Sequence, residues 1–251
     1  MDAGTWGNYT PRYQQAALIN PRTSALGNLA DVVPTQMIIL PIQEAAQIDD
    51  LSTREGQVWS QILDVLESWA GFRRLYWGRH VEEGLVHLHI ARDSLHQHYA
   101  LLASLDWQHI IKNLVSLGVC SATELTVRHA MFSEFTTDPK SLGHGAPVSG
   151  TAVYLTPDPA GWDKTWALWT SIVSTVPGCL GVTGGWMVEP VEGNLSYIVY
   201  VGWESIDVHD SYHRTKHFRQ RAPILREHNV GFREYGHVAF THSRPCRQAN
   251  L

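Results

Sequence analysis

Apolar residues in the second half of the chain recur with two different periods. Residues 150–156 form a short β-rich run, and the apolar positions that follow are spaced as on one face of a helix. This helical stripe consists of Trp162, Trp166, Trp169, Ile172, Val173 and Val176. Asp158 is a suitable N-cap with Pro159 at the first helical position, and Pro177-Gly178 ends the stripe. The pattern predicts a strand followed by a tryptophan-rich helix.

Two strands, a second helix and a last strand complete this half. Residues 181–189 and 195–203 are rich in β-formers and flank a Glu-Gly-Asn turn, which is typical of a hairpin. A helix to about residue 227, interrupted near Pro223, and a strand at 232–242 are predicted next.

The first half repeats the same order of elements. The predicted elements are a strand at 36–42, a helix at about 53–69, hairpin strands at 72–81 and 85–91, a helix at 94–117 and a strand at 123–132. The order β-α-β-β-α-β is that of a ferredoxin-like unit. The chain therefore contains two such units.

An internal alignment supports a duplication. The matched positions are Trp59 with Trp169, Ile62 with Ile172, Gly71 with Gly181, Val81-Glu82 with Val191-Glu192, and Leu85 with Leu195. One inserted residue later, the segment 93–98 lies over 204–209, which pairs Ser94 with Ser205 and His98 with His209. The matches stay in order and almost in register, as expected for two diverged copies of one fold.

The predicted organisation follows from these copies. It comprises an N-terminal arm (1–34), a first repeat (35–132), a linker (133–149), a second repeat (150–243) and a tail (244–251). Each β-α-β-β-α-β unit covers one face of its sheet with helices and leaves the other bare. Two units in one chain can bring these faces together around a chamber. The predicted fold class is α+β, with two tandem ferredoxin-like units in one barrel.

These features resemble a known superfamily. The paired units, the tryptophan-rich first helix and the passage Trp203-Glu204-Ser205-x-x-x-His209 resemble the dimeric α+β barrels, which include the antibiotic-biosynthesis monooxygenases and the stress-responsive A/B-barrel proteins. In the first copy Arg92 replaces the Trp and Asp93 the Glu. The resemblance implies a chamber that oxygenates, cyclises or isomerises natural-product intermediates, binds haem, or only binds a ligand. The fold does not choose among these activities.

Composition excludes several classes of protein. The chain of 251 residues is 44% hydrophobic and 17% charged, with a net charge of −5 and no basic cluster, so we expect no nucleic-acid partner. No apolar run is long enough to span a membrane, and the N-terminus lacks a secretory signal. Three cysteines are too few and badly spaced for a disulfide framework or a zinc knuckle. We expect a soluble cytoplasmic protein, monomer or homodimer.

Strand alternation selects the first candidate residues. In 85–91 the apolar residues Val86, Leu88 and Ile90 suit a helix-covered face, so His87 and His89 are predicted to face the chamber. The alternative is a histidine pair that is satisfied by hydrogen bonds or open to solvent. The alignment pairs these histidines with Tyr197 and Val199.

Further candidates come from the other strands. Arg74, Tyr76 and His80 share one face, and Trp186 is predicted to face the chamber beside Gly184-Gly185, which could leave room for a ligand or mark a bulge. On the last strand Tyr235 and His237 are predicted to face inward.

His209, His213 and His217 lie on one helical face, but a third imidazole two turns away cannot reach the same ion, and no metal-binding motif supports such a site. His209 is therefore interpreted as a turn or pocket-edge residue, and no metal or other cofactor is expected.

The hypothesis is a cofactor-independent enzyme that cyclises or isomerises a small hydrophobic, conjugated, polyketide-like substrate. His87, His89 and His237 are the proposed acid/base residues, Arg74 and Tyr197 the carbonyl or enolate binders, and Trp186 an aromatic platform. Tyr76, His80, His209 and Tyr235 complete the predicted binding residues. The alternatives are cofactor-free oxygenation in the same pocket and a binding protein without turnover.

Overall fold

A computed structural model describes residues 32–42, 45–117, 124–135 and 146–245. The elements of the first unit are β1 Val33–Pro41, α1 Arg54–Ser68, β2 Phe72–His80, β3 Leu85–Arg92, α2 Leu95–Leu102, α3 Leu105–Ser116 and β4 Thr126–Glu134. Those of the second are β5 Val148–Leu155, α4 Pro159–Val173, β6 Cys179–Met187, β7 Ser196–Trp203, α5 Ile206–His213, α6 Lys216–Arg221, a 3-10 turn Ala222–Arg226 and β8 Phe232–Pro245.

The strands close into a single antiparallel barrel in the order β1-β3-β2-β8-β5-β7-β6-β4. Within each unit the order is that of a ferredoxin-like sheet, and the units join where β2 pairs with β8 and β4 pairs with β6. The predicted fold class is confirmed. Closure leaves no unpaired strand edge in the barrel.

Each strand divides its side chains between two environments. Outward-facing apolar residues pack under the helices in one cluster per unit, the first around Trp59 and Leu88 and the second around Trp162 and Tyr197. A third cluster contains strand residues alone and lines the barrel interior. Its members are Met37, Tyr76, Ala130, Phe132, Val153, Met187, Ile198, Tyr200, Val238 and Phe240.

A glutamate–histidine contact fastens each join. Glu82, just after β2, accepts hydrogen bonds from the backbone N–H of His237 on β8 and from its ring Nδ1. Glu189, just after β6, makes the same two contacts with His129 on β4, both at 2.7 Å. We call these pairs the two clamps. Each clamp links one unit's hairpin to the last strand of the other.

The long helix predicted in each unit is broken at the same place. In the first unit the Oγ of Ser104 accepts the backbone N–H of Trp107, and in the second Thr215 Oγ1 accepts that of Phe218. A hydroxyl that caps the following turn competes with continuation of the preceding helix. The predicted helices 94–117 and 205–227 are therefore each divided, and the second ends in the 3-10 turn that contains Pro223.

Arg92 of the first unit occupies the position that Trp203 has in the second unit, and it has a different structural role. Its guanidinium is completely buried and donates to the carbonyls of Leu66, Trp69 and Ala70 at the end of α1. These carbonyls have no intrahelical donor, and the helix dipole favours a cation at this position. Burial lowers the pKa of Arg92 to about 10, so the group stays charged.

Several predicted segments reach beyond the described residues. Most of the arm 1–34, the middle of the linker 133–149 and most of the tail 244–251 lie there, as do Cys120 and Cys246. The strands extend into all three segments, since β1 begins at Val33, β4 ends at Glu134 and β8 ends at Pro245. Among the helices that are described, none is long and apolar enough to cross a membrane.

Replacement of Arg92 tests its role at the end of α1. Arg92→Met fills similar space but leaves three carbonyls at the end of α1 without this donor, one of them buried, so we expect the free energy of unfolding to fall by roughly 3 kcal/mol. Arg73→Met, which removes an exposed pair with Asp93, is the matched control and should change it by roughly 0.5 kcal/mol. Urea denaturation followed by circular dichroism measures both. Equal losses in the two variants would contradict this role.

Candidate functional site

Three histidines and a tyrosine lie together inside the barrel. His80 ends β2, and His87 and His89 point inward from β3, with ring centroids 5.7 Å apart for His80–His87 and 6.1 Å for His87–His89. The Tyr200 hydroxyl, on β7 of the other unit, lies 3.3 Å from Nε2 of His89. The inward position of His87 and His89 agrees with the alternation of their strand.

His87 stands out in this group because it is buried without a hydrogen-bond partner. Its side chain is 6% exposed, and neither ring nitrogen bonds to any of the residues that the structure describes. Burial, followed by the charges of His80 and Arg128, lowers the pKa of His87 to about 3. The ring is therefore neutral at physiological pH. A buried imidazole with both nitrogens unpaired costs stability and is available to a ligand.

Aromatic rings surround the central histidine. The His89 ring lies 4.9 Å from that of Phe240 and 6.2 Å from that of Phe132, and it makes an edge contact with Tyr200. Burial lowers the pKa of His89 well below its usual value and raises that of Tyr200. Both groups are therefore uncharged, and this part of the interior suits a flat aromatic molecule.

A second polar group lies on the inner wall near the end of β4. Tyr76 is within 3.4 Å of Arg74, and burial raises its pKa to about 12, so it remains a hydrogen-bond donor. Glu134 accepts a 2.5 Å bond from Thr183 on β6. Desolvation raises the pKa of Glu134 to about 7, against the opposing effects of Thr183 and Arg74. Glu134 is, however, exposed to solvent, which limits this rise of its pKa.

An ion pair crosses the barrel from β4 to β8. Arg128 Nη1 lies 2.6 Å from Glu234 Oε1, and both side chains are partly exposed. These strands are not neighbours in the barrel, so the pair spans its opening. It lies on the side of His87, whose pKa Arg128 helps to depress.

Five of the predicted site residues belong to the barrel interior and its ends, namely Arg74, Tyr76, His80, His87 and His89. The structure also shows interior residues that the sequence reasoning missed. Tyr200 was misaligned with a helix-facing position, and Glu134 was assigned to the linker because the end of β4 was placed at residue 132. Thr183 is a lone threonine in an apolar run and gave no signal.

The inward placement of Trp186 and Tyr197 is wrong. Both pack beneath α4, where Trp186 Nε1 donates to Asp163 and Tyr197 lies against Trp162 and Trp166. Gly184 provides space for this packing rather than for a ligand, since a Cβ there would lie 2.7 Å from the Tyr197 ring.

The physical reason is strand register. The loop after β6 is longer than that after β2, so the true counterparts of His87 and His89 are Ile198 and Tyr200, not Tyr197 and Val199. Gly71 likewise matches Gly178, which shares its positive φ, rather than Gly181. A shift by an odd number of residues moves every side chain of a strand to the opposite face.

His237, His209 and Tyr235 also lie outside the barrel. His237 shares the outward face of β8 with Tyr235, whose side chain is 49% exposed. Its Nε2 lies 2.7 Å from Nδ1 of His209, which stacks on Trp203 under α5. The inward placement of His237 and Tyr235 is therefore wrong, because the neighbouring Val238 and Phe240 occupy the inner face.

Cys179, His213 and His217 contact residues of the protein core and the helices around them. Burial raises the pKa of the Cys179 thiol to about 11, so it is not a thiolate nucleophile. His217 lies 3.3 Å from the Tyr212 hydroxyl, and His213 packs against Phe218. His209 and His217 thus have different hydrogen-bond partners.

The structure has recognisable relatives among solved proteins. An anthrone oxidase-like protein superimposes with a TM-score of 0.63 at 14% identity, over 87% of this chain and 95% of that one. The chain has the dimeric α+β barrel fold. A candidate monooxygenase from Fusobacterium nucleatum gives 0.57 at 8% identity (86% and 95% covered), and one from Lactobacillus acidophilus gives 0.52 at 11% (86% and 97%). No family model and no curated protein matches the chain.

At these identities the likeness establishes the α+β barrel and leaves the activity open. Both halves of this barrel come from a single chain. The chemistry must therefore be argued from its own interior residues.

His87→Leu tests whether the unpaired imidazole lowers the free energy of unfolding. Removal of two unsatisfied buried nitrogens should raise the free energy of unfolding at pH 7 by about 1 kcal/mol. His89→Leu, which also deletes the contact with Tyr200, is the control and should not stabilise the protein. A loss of stability in His87→Leu would indicate a polar partner for the ring.

The same variant should alter acid stability. His87 stays neutral in the native state down to about pH 3, whereas the unfolded ring binds a proton below its ordinary pKa of 6.5. The unfolded state thus binds more protons in this window, and stability falls as pH falls from 6.5 towards 3, by about 2 kcal/mol at pH 5 for this group. Urea denaturation at pH 7 and 5 should show a shallower loss in His87→Leu by that amount.

Proposed function

We propose that the barrel is a cofactor-independent oxygenase that acts on an enolisable, phenolic, polycyclic aromatic substrate of the polyketide type. The observation that carries this proposal is the position of His87, a neutral imidazole buried in the barrel with both nitrogens unpaired. Such a group is a proton acceptor in a region of low dielectric constant.

His87 acts as the base. The low pKa of His87 reflects burial, and the negative charge that develops on a bound carbon acid would raise it towards neutrality. Tyr200 and His89 lie next along the wall and can hydrogen-bond to the carbonyl or enolate oxygen of the substrate. Phe132 and Phe240 flank His89 and provide aromatic surfaces for a planar ring system.

The reaction balances without a further reductant. His87 removes a proton from a CH2 group that lies between an aromatic ring and an activating carbonyl system. The carbanion transfers one electron to dioxygen, and the radical pair combines to form a C–O bond. The resulting peroxide takes up the proton from His87. Loss of the second C–H proton then breaks the O–O bond, so that CH2 and O2 become C=O and H2O.

The polar group near the end of β4 can bind the far side of the substrate. Arg74 and the protonated Tyr76 are donors suited to phenolic or carbonyl oxygens. Glu134, with its raised pKa, can exchange a proton near neutral pH. The structural neighbour described as anthrone oxidase-like supports this substrate class.

Cyclisation or isomerisation of a conjugated intermediate would use the same base and the same aromatic walls. The two reactions differ in one measurable respect, since only oxygenation consumes dioxygen. The monooxygenase descriptions of two structural neighbours favour oxygenation. A binding protein without turnover would retain ligand affinity but show no product.

Dithranol, a dihydroxyanthrone, is the probe for this activity. We expect the full-length protein to convert it to the quinone faster than the uncatalysed reaction, with one dioxygen consumed and one oxygen atom of labelled dioxygen in the product. His87→Leu should lower kcat by roughly 100-fold or more, the usual contribution of a general base. An oxygen electrode and mass spectrometry measure both quantities.

Tyr235→Phe is the matched control, because this residue was predicted from sequence to line the site but lies outside the barrel; its kcat should be unchanged. A wild-type rate no higher than that of His87→Leu would overturn the proposal. Turnover of a conjugated polyketide without oxygen uptake would assign the site to cyclisation or isomerisation.

A further inference from the structure

A second cluster of ligating groups lies outside the barrel, where α5 crosses β8. His209 Nδ1 and His237 Nε2 are 2.7 Å apart, and both side chains are buried. Asp210, half-buried and next to His209, places a carboxylate oxygen so that one ligand atom from each residue lies within 4.8 Å of the other two. Across the described part of the chain, this is the one group of three such residues that meets that distance.

The Glu82–His237 clamp orients His237 for ligation. Glu82 accepts hydrogen bonds from the ring Nδ1–H and the backbone N–H of His237, which fixes the ring and leaves the Nε2 lone pair directed at His209. A carboxylate on the far nitrogen of a histidine is the usual outer contact of metal-bound imidazoles, because it fixes the tautomer and strengthens the ligand.

We propose that His209 Nδ1, His237 Nε2 and the Asp210 carboxylate bind a divalent transition metal of the zinc class. Two imidazoles and a carboxylate suit Zn²⁺, with a fourth position for water or for His213, whose ring centroid is 4.3 Å from that of His209. Bonds of about 2 Å at tetrahedral angles place ligand atoms about 3.3 Å apart. The two nitrogens must therefore separate slightly, and Asp210 must approach.

The metal would have a structural role and would take no part in the reaction proposed for the barrel interior. It would connect α5 to β8 and, through Glu82, to the hairpin of the first unit. The aspartate is essential to this assignment, because two imidazoles alone satisfy each other by a hydrogen bond.

The first unit contains the same scaffold without the third ligand. His98, His129 and Glu189 occupy the places of His209, His237 and Glu82. Tyr99 stands where Asp210 stands, and its ring packs on His129. His98 Nε2 is 3.1 Å from the carbonyl of Pro34, whereas Nδ1, the counterpart of the His209 ligand atom, has no partner among the described residues. The second imidazole is less available, because His129 Nε2 lies 3.5 Å from the side-chain nitrogen of Gln36. The duplication thus supplies an internal control that should not bind the ion.

Zinc titration of the untagged, chelator-stripped full-length protein tests the site. We expect calorimetry to show one Zn²⁺ per chain, and Co²⁺ to give the visible d–d bands of a tetrahedral site. Asp210→Asn and His209→Gln should each lower the affinity by at least about tenfold, and Glu82→Gln by about 10- to 100-fold although it removes no ligand. His98→Gln, at the equivalent place, should bind as tightly as the wild type.

Thermal melting with and without Zn²⁺ gives a second readout, in which the wild type but not Asp210→Asn should be stabilised. Asp210 is half-buried and its replacement is isosteric, so this variant decides the question if His209→Gln does not fold. Wild-type binding no tighter than that of Asp210→Asn, or an equal loss in His98→Gln, would overturn the site.

Discussion

Closure of the barrel depends on the two clamps across the joins between the units. A ferredoxin-like sheet ends in edge strands whose N–H and C=O groups need partners, and here β2 meets β8 and β6 meets β4. At each join a glutamate accepts both the backbone N–H and the ring N–H of the opposing histidine. A single carboxylate therefore satisfies two donors and sets the position of one unit against the other. The same contact occurs at both joins because the chain is duplicated.

The symmetric frame allows the interior to be asymmetric. His80, His87 and His89 come from the first unit, while Met187, Ile198 and Tyr200 occupy the equivalent positions in the second. One wall of the barrel thus carries imidazoles, and the opposite wall carries Met187, Ile198 and Tyr200. A homodimer of identical units would present the same side chains on both walls. Fusion of the two copies in one chain permits this division, on which the proposed oxygenation depends.

Local patterns predicted the elements well and the distant contacts poorly. The strand and helix order, the capping residues and the duplication follow from periodicities of a few residues. The inward direction of His87 and His89 follows from alternation in their own strand, and both rings lie inside the barrel. Trp186 and Tyr197 were placed by the alignment, which spans loops of different length and loses strand register. The partnership of Glu82 with His237 joins residues far apart in the chain, so no local pattern could reveal it.

The barrel interior contains a buried imidazole, that of His87, which lowers the stability of the fold. An apolar side chain at position 87 would satisfy the interior better than an imidazole with no partner. The second unit has such an apolar residue, because Ile198 occupies the corresponding position. The same fold can therefore accommodate either residue, and packing alone does not require the histidine. A buried polar group that the architecture does not need is best explained by what it binds, because marginal stability leaves little room for unused destabilising groups.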